Sequence, residues 1–124
     1  MTQTASNSTA GQYDFLLVAT ATETREEAEQ LAKLAVQGRF AAGAQILGPT
    51  VSAFWHLGEF GVGEEWRLSL PTHVSRFSEL EQLLRENHSW TKPEISAVPI
   101  VAGSADYLDW IRRSVLPEAA NGAT

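Results

Sequence analysis

The stretch AAGAQILGPTVSAFWHL, residues 41–57, is apolar along most of its length but carries Gly48 and Pro49 near its middle. A strand absorbs such a pair as a bulge or a bend, whereas a helix interior does not. The spacing therefore predicts two strand segments, about 42–47 and 51–57. GEFGVGEE follows, with three glycines that read as a turn, and WRLSLPT then alternates Trp66, Leu68 and Leu70 with Arg67 and Ser69. That period of two is the signature of a half-buried strand, and the pieces together form a long hairpin. Ahead of it, YDFLLVAT reads as a buried strand. Thr24 with Glu27 makes a capping box that opens a helix, whose face is Ala28, Leu31, Ala32, Leu34 and Ala35 and whose stop is Gly38. After the hairpin, Phe77, Leu80, Leu83 and Leu84 fall at helical spacing. ISAVPIVAG reads as a strand and SADYLDWIRRSV as a last helix, with Tyr107, Leu108, Trp110, Ile111 and Val115 on its packing face. The order β-α-β-β-α-β plus a helix is that of an α+β ferredoxin-like sandwich, with two helices on one face of an antiparallel sheet. Ile46, Leu47, Val51, Phe54, Trp66, Leu68 and Leu70 then divide between the two sheet faces, and some lack cover within the chain. Self-association would provide it: burying a few hundred Å² per subunit at ~25 cal/mol/Å² contributes several kcal/mol.

A chain of 124 residues fits one domain. The small, polar stretches at 1–11 and 117–124 are expected to be loose, which leaves 12–116 as the folded unit. A hydrophobic content of 44% with 19% charged residues belongs to a globular protein. No apolar run reaches the length of a membrane span, and no secretory pattern opens the chain, so no membrane partner and a cytoplasmic location are expected. The absence of cysteine removes disulfides, thiolate ligands and a Cys nucleophile. A formal net charge of -6 argues against nucleic acid, whose affinity comes from Lys and Arg neutralising phosphates. There is no Gly-x-Ser-x-Gly elbow, Walker loop or Gly-x-Gly-x-x-Gly fingerprint.

From VQGRFAAGAQI through TVSAFWHLGEF to NHSWTKPEISAVPIVAGSADYLDWI, the chain resembles the CutA divalent-cation tolerance proteins. The resemblance runs from about residue 15 to 114. Its most specific residues are Pro93-Glu94-Ile95, Pro99, Gly103 and Tyr107-Leu108-Asp109-Trp110-Ile111. It implies compact homotrimers of ferredoxin-like subunits, similar in this to PII signalling proteins, and clefts between subunits. The departures fall at Gly43 and at Thr20, Ala21 or Thr22, where the family carries Cys. They also include His56 in place of a Trp, Pro71 in place of a Lys, and His88-Ser89-Trp90 in place of His-Pro-Tyr.

The polar segment NHSWTKPEIS holds His88 and Glu94, an imidazole and a carboxylate that suit a divalent cation or general acid-base work on a small ligand. The resemblance points the same way, since the family's equivalents are proposed copper contacts. The competing reading is a His that satisfies helix-terminal carbonyls and a Glu bonded to a loop amide. No cofactor is implied beyond a Cu(II) or Zn(II) ion at this pair. His56 shares a face with Phe54 and not with Trp55; near a threefold axis it would supply three imidazoles, and otherwise it is a hydrogen-bonded interface residue. Its replacement of a Trp would open a cleft lined by Trp55, His56, Glu59, Trp90 and Tyr107, with Trp90 as a stacking surface or as simple interface packing. Three functions follow: a trimeric binding or regulatory protein for a small ligand or a divalent cation, an enzyme acting on a small metabolite with His88 or Glu94 as catalytic base, or a structural trimeric scaffold.

Overall fold

The computed structural model describes residues 13–117. The stretches expected to be loose, 1–11 and 117–124, thus lie outside the described residues except for Pro117. Strand β1 (Phe15–Thr22) leads into helix α1 (Arg25–Gln37), and the strands β2 (Gln45–His56) and β3 (Glu59–His73) form the hairpin. A single 3-10 turn (Val74–Arg76) precedes α2 (Phe77–Asn87), followed by β4 (Ser96–Pro99) and α3 (Ala105–Val115). The sheet order is β2-β3-β1-β4, with every neighbouring pair antiparallel. This is the ferredoxin-like sandwich, and both crossovers carry a helix.

The local signals act as their chemistry requires. The Thr24 side chain accepts the Glu27 N–H at 3.1 Å, opening α1. The helix buries Ala28, Leu31 and Ala35 and ends in a turn where the Phe40 N–H reaches the Ala35 carbonyl at 2.9 Å. Arg39 occupies the left-handed position there, with φ 63, a place that glycine fills at lower cost. Its guanidinium offsets that cost by donating to the Ser114 carbonyl in the last turn of α3. The helices of α1 and α2 close the core over Val18, Leu68 and Leu70, with Leu31, Ala35, Leu80 and Leu84 facing them. A second cluster, Phe15, Ala42, Ile111 and Val115, seats α3 on the sheet. Phe15 stands on the opposite side of the pleat from Val18, so α3 packs on the face away from α1 and α2.

Thr20 lies fully buried on the core face opposite Leu68, and its hydroxyl has no hydrogen-bond partner among the described residues. A buried, unpaired hydroxyl is a net cost. Thr20→Val is therefore expected to raise the unfolding free energy by about 1 kcal/mol in urea titrations, and a loss of stability would show that the hydroxyl is paired.

The hairpin differs from expectation. β2 is one strand that passes Gly48-Pro49 through an irregularity between Leu47 and Thr50, and the residues read as a glycine turn belong to β3. The turn is instead Leu57-Gly58, with φ 52 and 80. These values suit a tight primed turn, whose twist matches the strands. Gly61 serves another purpose: a Cβ there would stand 2.7 Å from the Phe54 ring, which lies across the strand. The arm also alters where apolar surface remains open. Register sets Val51, Ala53 and Trp55 opposite Glu64, Val62 and Phe60, on the face that farther in holds Ile46 and Leu68. The core face thus runs outward past the end of the helices, leaving Trp55 77% and Phe60 64% exposed. Leu47 and Val98 are exposed on the other face.

Candidate functional site

The loop after α2 begins at His88, whose side chain is fully buried. Its Nε2 lies 2.8 Å from the Ala21 carbonyl near the end of β1, and its Nδ1 accepts the Trp90 N–H at 3.1 Å. A carbonyl requires a donor and an N–H requires an acceptor, so these partners assign the neutral ring with its proton on Nε2. The next residue reinforces the join. Ser89 donates its N–H and its hydroxyl to the two carboxylate oxygens of Glu27, at 2.8 and 3.0 Å. Glu27 therefore does not complete the expected capping box; its carboxylate ties the loop to the first turn of α1. The Trp90 ring leans on His88, with centroids 5.3 Å apart. His88 acts as a clasp between α2 and β1, and it reaches a strand carbonyl where the terminal carbonyls of its own helix were expected.

Glu94 has different partners. Arg67 binds it with two parallel hydrogen bonds of 3.0 Å each, and the Ser96 hydroxyl donates at 3.1 Å. Arg67 and Ser96 project from the sheet face opposite α1 and α2, by the two-residue alternation of their strands. The hydrogen bonds from Arg67 hold the Glu94 carboxyl below the usual carboxylate range, against the opposing effect of burial, and the same bonds raise Arg67. A lowered carboxylate contributes stability that is complete above about pH 4.5, the ordinary glutamate value, and is lost as acid protonates the folded form. Because the pair is more than a third exposed, screening keeps that contribution small.

The structure thus engages His88 and Glu94 separately. Both imidazole nitrogens bond to main chain, both Glu94 oxygens bond to Arg67, and no three His, Asp or Glu among the described residues converge on one point. Zinc sites use three or four protein ligands, so the described residues of a single chain do not form one.

The candidate lining residues occupy three places. Trp55, His56 and Glu59 are at the hairpin tip, with His56 directly opposite Glu59 and the Trp55 ring edge-on to Phe60 at 6.1 Å. Trp90 is in the clasp loop. Tyr107 is on α3 beside Trp110, with ring centroids 5.7 Å apart. α3 packs at the Phe15 end of β1, whereas the tip extends beyond the Thr22 end, where Trp66 pairs. From Trp66 to Glu59 the strand advances ~20 Å further. One chain therefore does not gather the set. Trp110, read as part of the packing face, is 41% exposed; Ile111 and Val115 carry that packing, and the Trp110 ring fills the space that a side chain at Gly43 would need. Sequence patterning gave Glu27 only a helix-capping role and Arg67 only a place in the alternation, and it gave Phe60 none. Arg67 was detectable as the lone charge in the Trp66–Leu70 alternation, but its partner Glu94 lies in the loop before β4 and not across the strand.

Residues 16–114 match the family model described as CutA1 divalent ion tolerance protein. The Divalent-cation tolerance protein CutA of Archaeoglobus fulgidus is 36% identical over 90 residues, spanning 73% of this chain and 87% of that one. A solved CutA structure from Archaeoglobus fulgidus, described as periplasmic, superposes with a TM-score of 0.79 at 32% identity, covering 82% of this chain and 98% of the other. CutA from Synechococcus elongatus, solved as a complex with a Bis-Tris molecule, superposes with a TM-score of 0.76 at 32% identity, covering 82% and 94%. The chain belongs to the CutA1 divalent ion tolerance protein family.

Proposed function

We propose that the chain works as a homotrimeric binding protein of the divalent-cation tolerance type, holding a small ligand in clefts between its subunits. One observation carries the reading. The hairpin arm presents Val51, Trp55, Phe60 and Val62 as exposed apolar side chains that none of the described residues of the same chain covers. Contiguous apolar surface of this kind marks an interaction site, and a threefold partner of the same chain is the occupant the family's structures favour. Docking the arm against a neighbour would bring tip residues to another subunit's surface, which is the route by which the scattered lining residues could share one cleft.

The chemistry of that cleft favours an organic cation with hydroxyl groups. Glu59 makes no ion pair among the described residues, and Trp90 and Tyr107 supply aromatic surface. The Bis-Tris complex of the Synechococcus elongatus relative shows such a molecule on this fold. A divalent ion would need donors from more than one subunit, with His56 and Glu59, opposite each other at the tip, as one chain's contribution. No helix among the described residues is long and apolar enough to cross a membrane. One relative is described as periplasmic, so the fold does not set the compartment.

Calorimetry on chelator-treated protein tests this reading with two titrants, Bis-Tris and Zn(II). The expected outcome is a Bis-Tris signal that is lost in both Glu59→Gln and Trp90→Ala, with no tight Zn(II) binding. Submicromolar Zn(II) binding that disappears in a folded His88→Gln variant would contradict it and make the loop a metal site.

A further inference from the structure

His73 ends β3 and opens the 3-10 turn. Its Nδ1 accepts the Ser75 N–H at 3.1 Å, and the Ser75 hydroxyl lies 2.8 Å from the same nitrogen. That nitrogen must therefore hold a lone pair, and the ring is neutral. The imidazole stands edge-on to Phe15 with centroids 5.5 Å apart, and the Arg112 guanidinium lies over the Phe15 ring at 5.1 Å. A histidine from β3 and a cation from α3 thus meet across one aromatic side chain. Phe15 is also a member of the small cluster, with Ala42, Ile111 and Val115, that seats α3 on the sheet.

We propose that His73 is a proton-sensitive latch: neutral, it holds α3 against the sheet, and protonated, it loosens that helix. Protonation of Nδ1 removes the acceptor for Ser75 and sets a second positive charge beside Arg112. The charged groups facing the ring are Asp14, on the segment leading into β1, and Arg112, which is itself paired with Asp109 on α3 at 3.7 Å. Burial lowers the His73 pKa most; Asp14 opposes this, Arg112 adds to it, and the net direction is down. A lowered folded-state pKa means that the unfolded chain binds more protons near the ordinary histidine value. The stabilisation is then complete above about pH 6.5 and falls as the pH drops through that value. The latch belongs to one chain; loosening α3, which carries Tyr107, would weaken ligand binding only if the cleft proposed above forms.

Hydrogen exchange of the full chain tests it at about pH 7.5 and about pH 5, with rates corrected for their intrinsic pH dependence. The α3 amides should lose protection by about threefold or more on acidification while the α1 amides do not. His73→Gln, whose side-chain carbonyl can accept from Ser75 without titrating, should abolish the difference. Equal α3 protection at the two pH values in the wild type, or an equal loss in His73→Gln, would overturn the latch. Should His73→Gln fail to fold, NMR titration of the wild type decides: the Trp110 indole signal should move with the His73 midpoint, and independent midpoints would overturn the proposal. Bis-Tris binding that fails at every pH alongside a working latch would count against the cleft alone.

Discussion

Phe60→Asp is expected to convert a trimer into a folded monomer. In the isolated chain Phe60 is 64% exposed and touches the aromatic ring of Trp55, so its loss removes little from the subunit core. Surface changes of that kind usually cost within about 0.5 kcal/mol. At an interface the balance reverses, because a carboxylate buried without a partner costs several kcal/mol per site and a threefold assembly repeats the cost three times. Far-UV circular dichroism should stay unchanged while the mass falls to that of one chain. Retention of the trimer would place the interface elsewhere and leave the exposed arm unexplained.

His88→Ala is expected to be the most destabilising polar substitution in the loop, by about 2–4 kcal/mol in urea or thermal unfolding. It deprives the Ala21 carbonyl and the Trp90 N–H of their partner and empties a buried site between α2 and β1. Glu94→Gln should cost under about 1 kcal/mol, because the Arg67 pair it weakens is partly solvated. This contrast bears on how metal tests are interpreted. Loss of cation binding in His88→Ala could follow from an unfastened loop, so His88→Gln, which keeps a donor and a comparable volume, is the appropriate comparison. Near-equal costs for the two alanine and glutamine changes would mean that His88 is not a clasp.

The fold was legible because its signals are local. Thr24 and Glu27 open a helix by hydrogen-bonding chemistry that acts over three residues, and Leu68 and Leu70 report a core face by simple alternation. The hairpin turn was misread because glycine has two uses. At Gly58 it supplies a positive φ, and at Gly61 it makes room for Phe54, and only the cross-strand register separates these. The site was less legible for a related reason. His88 and Glu94 lie near each other along the chain, and a carboxylate and an imidazole so placed resemble a ligand pair. Their actual partners, Ala21 with Trp90 for the first and Arg67 for the second, come mostly from distant strands. Glu27 was assigned to its own helix cap because its partner Ser89 is 62 positions away. The lining residues at the tip, the loop and α3 pose a harder problem, since one chain leaves them apart and only an assembly could join them.

Sedimentation equilibrium of the wild-type protein at micromolar concentration is the most direct test of the assembly on which the cleft depends. A mass three times the 13.5 kDa of the chain is predicted, with the tip indole of Trp55 shielded from aqueous quenchers. A soluble 13.5 kDa species with Trp55 fully quenchable would contradict the account, because the arm would then have no partner and the cleft no second wall.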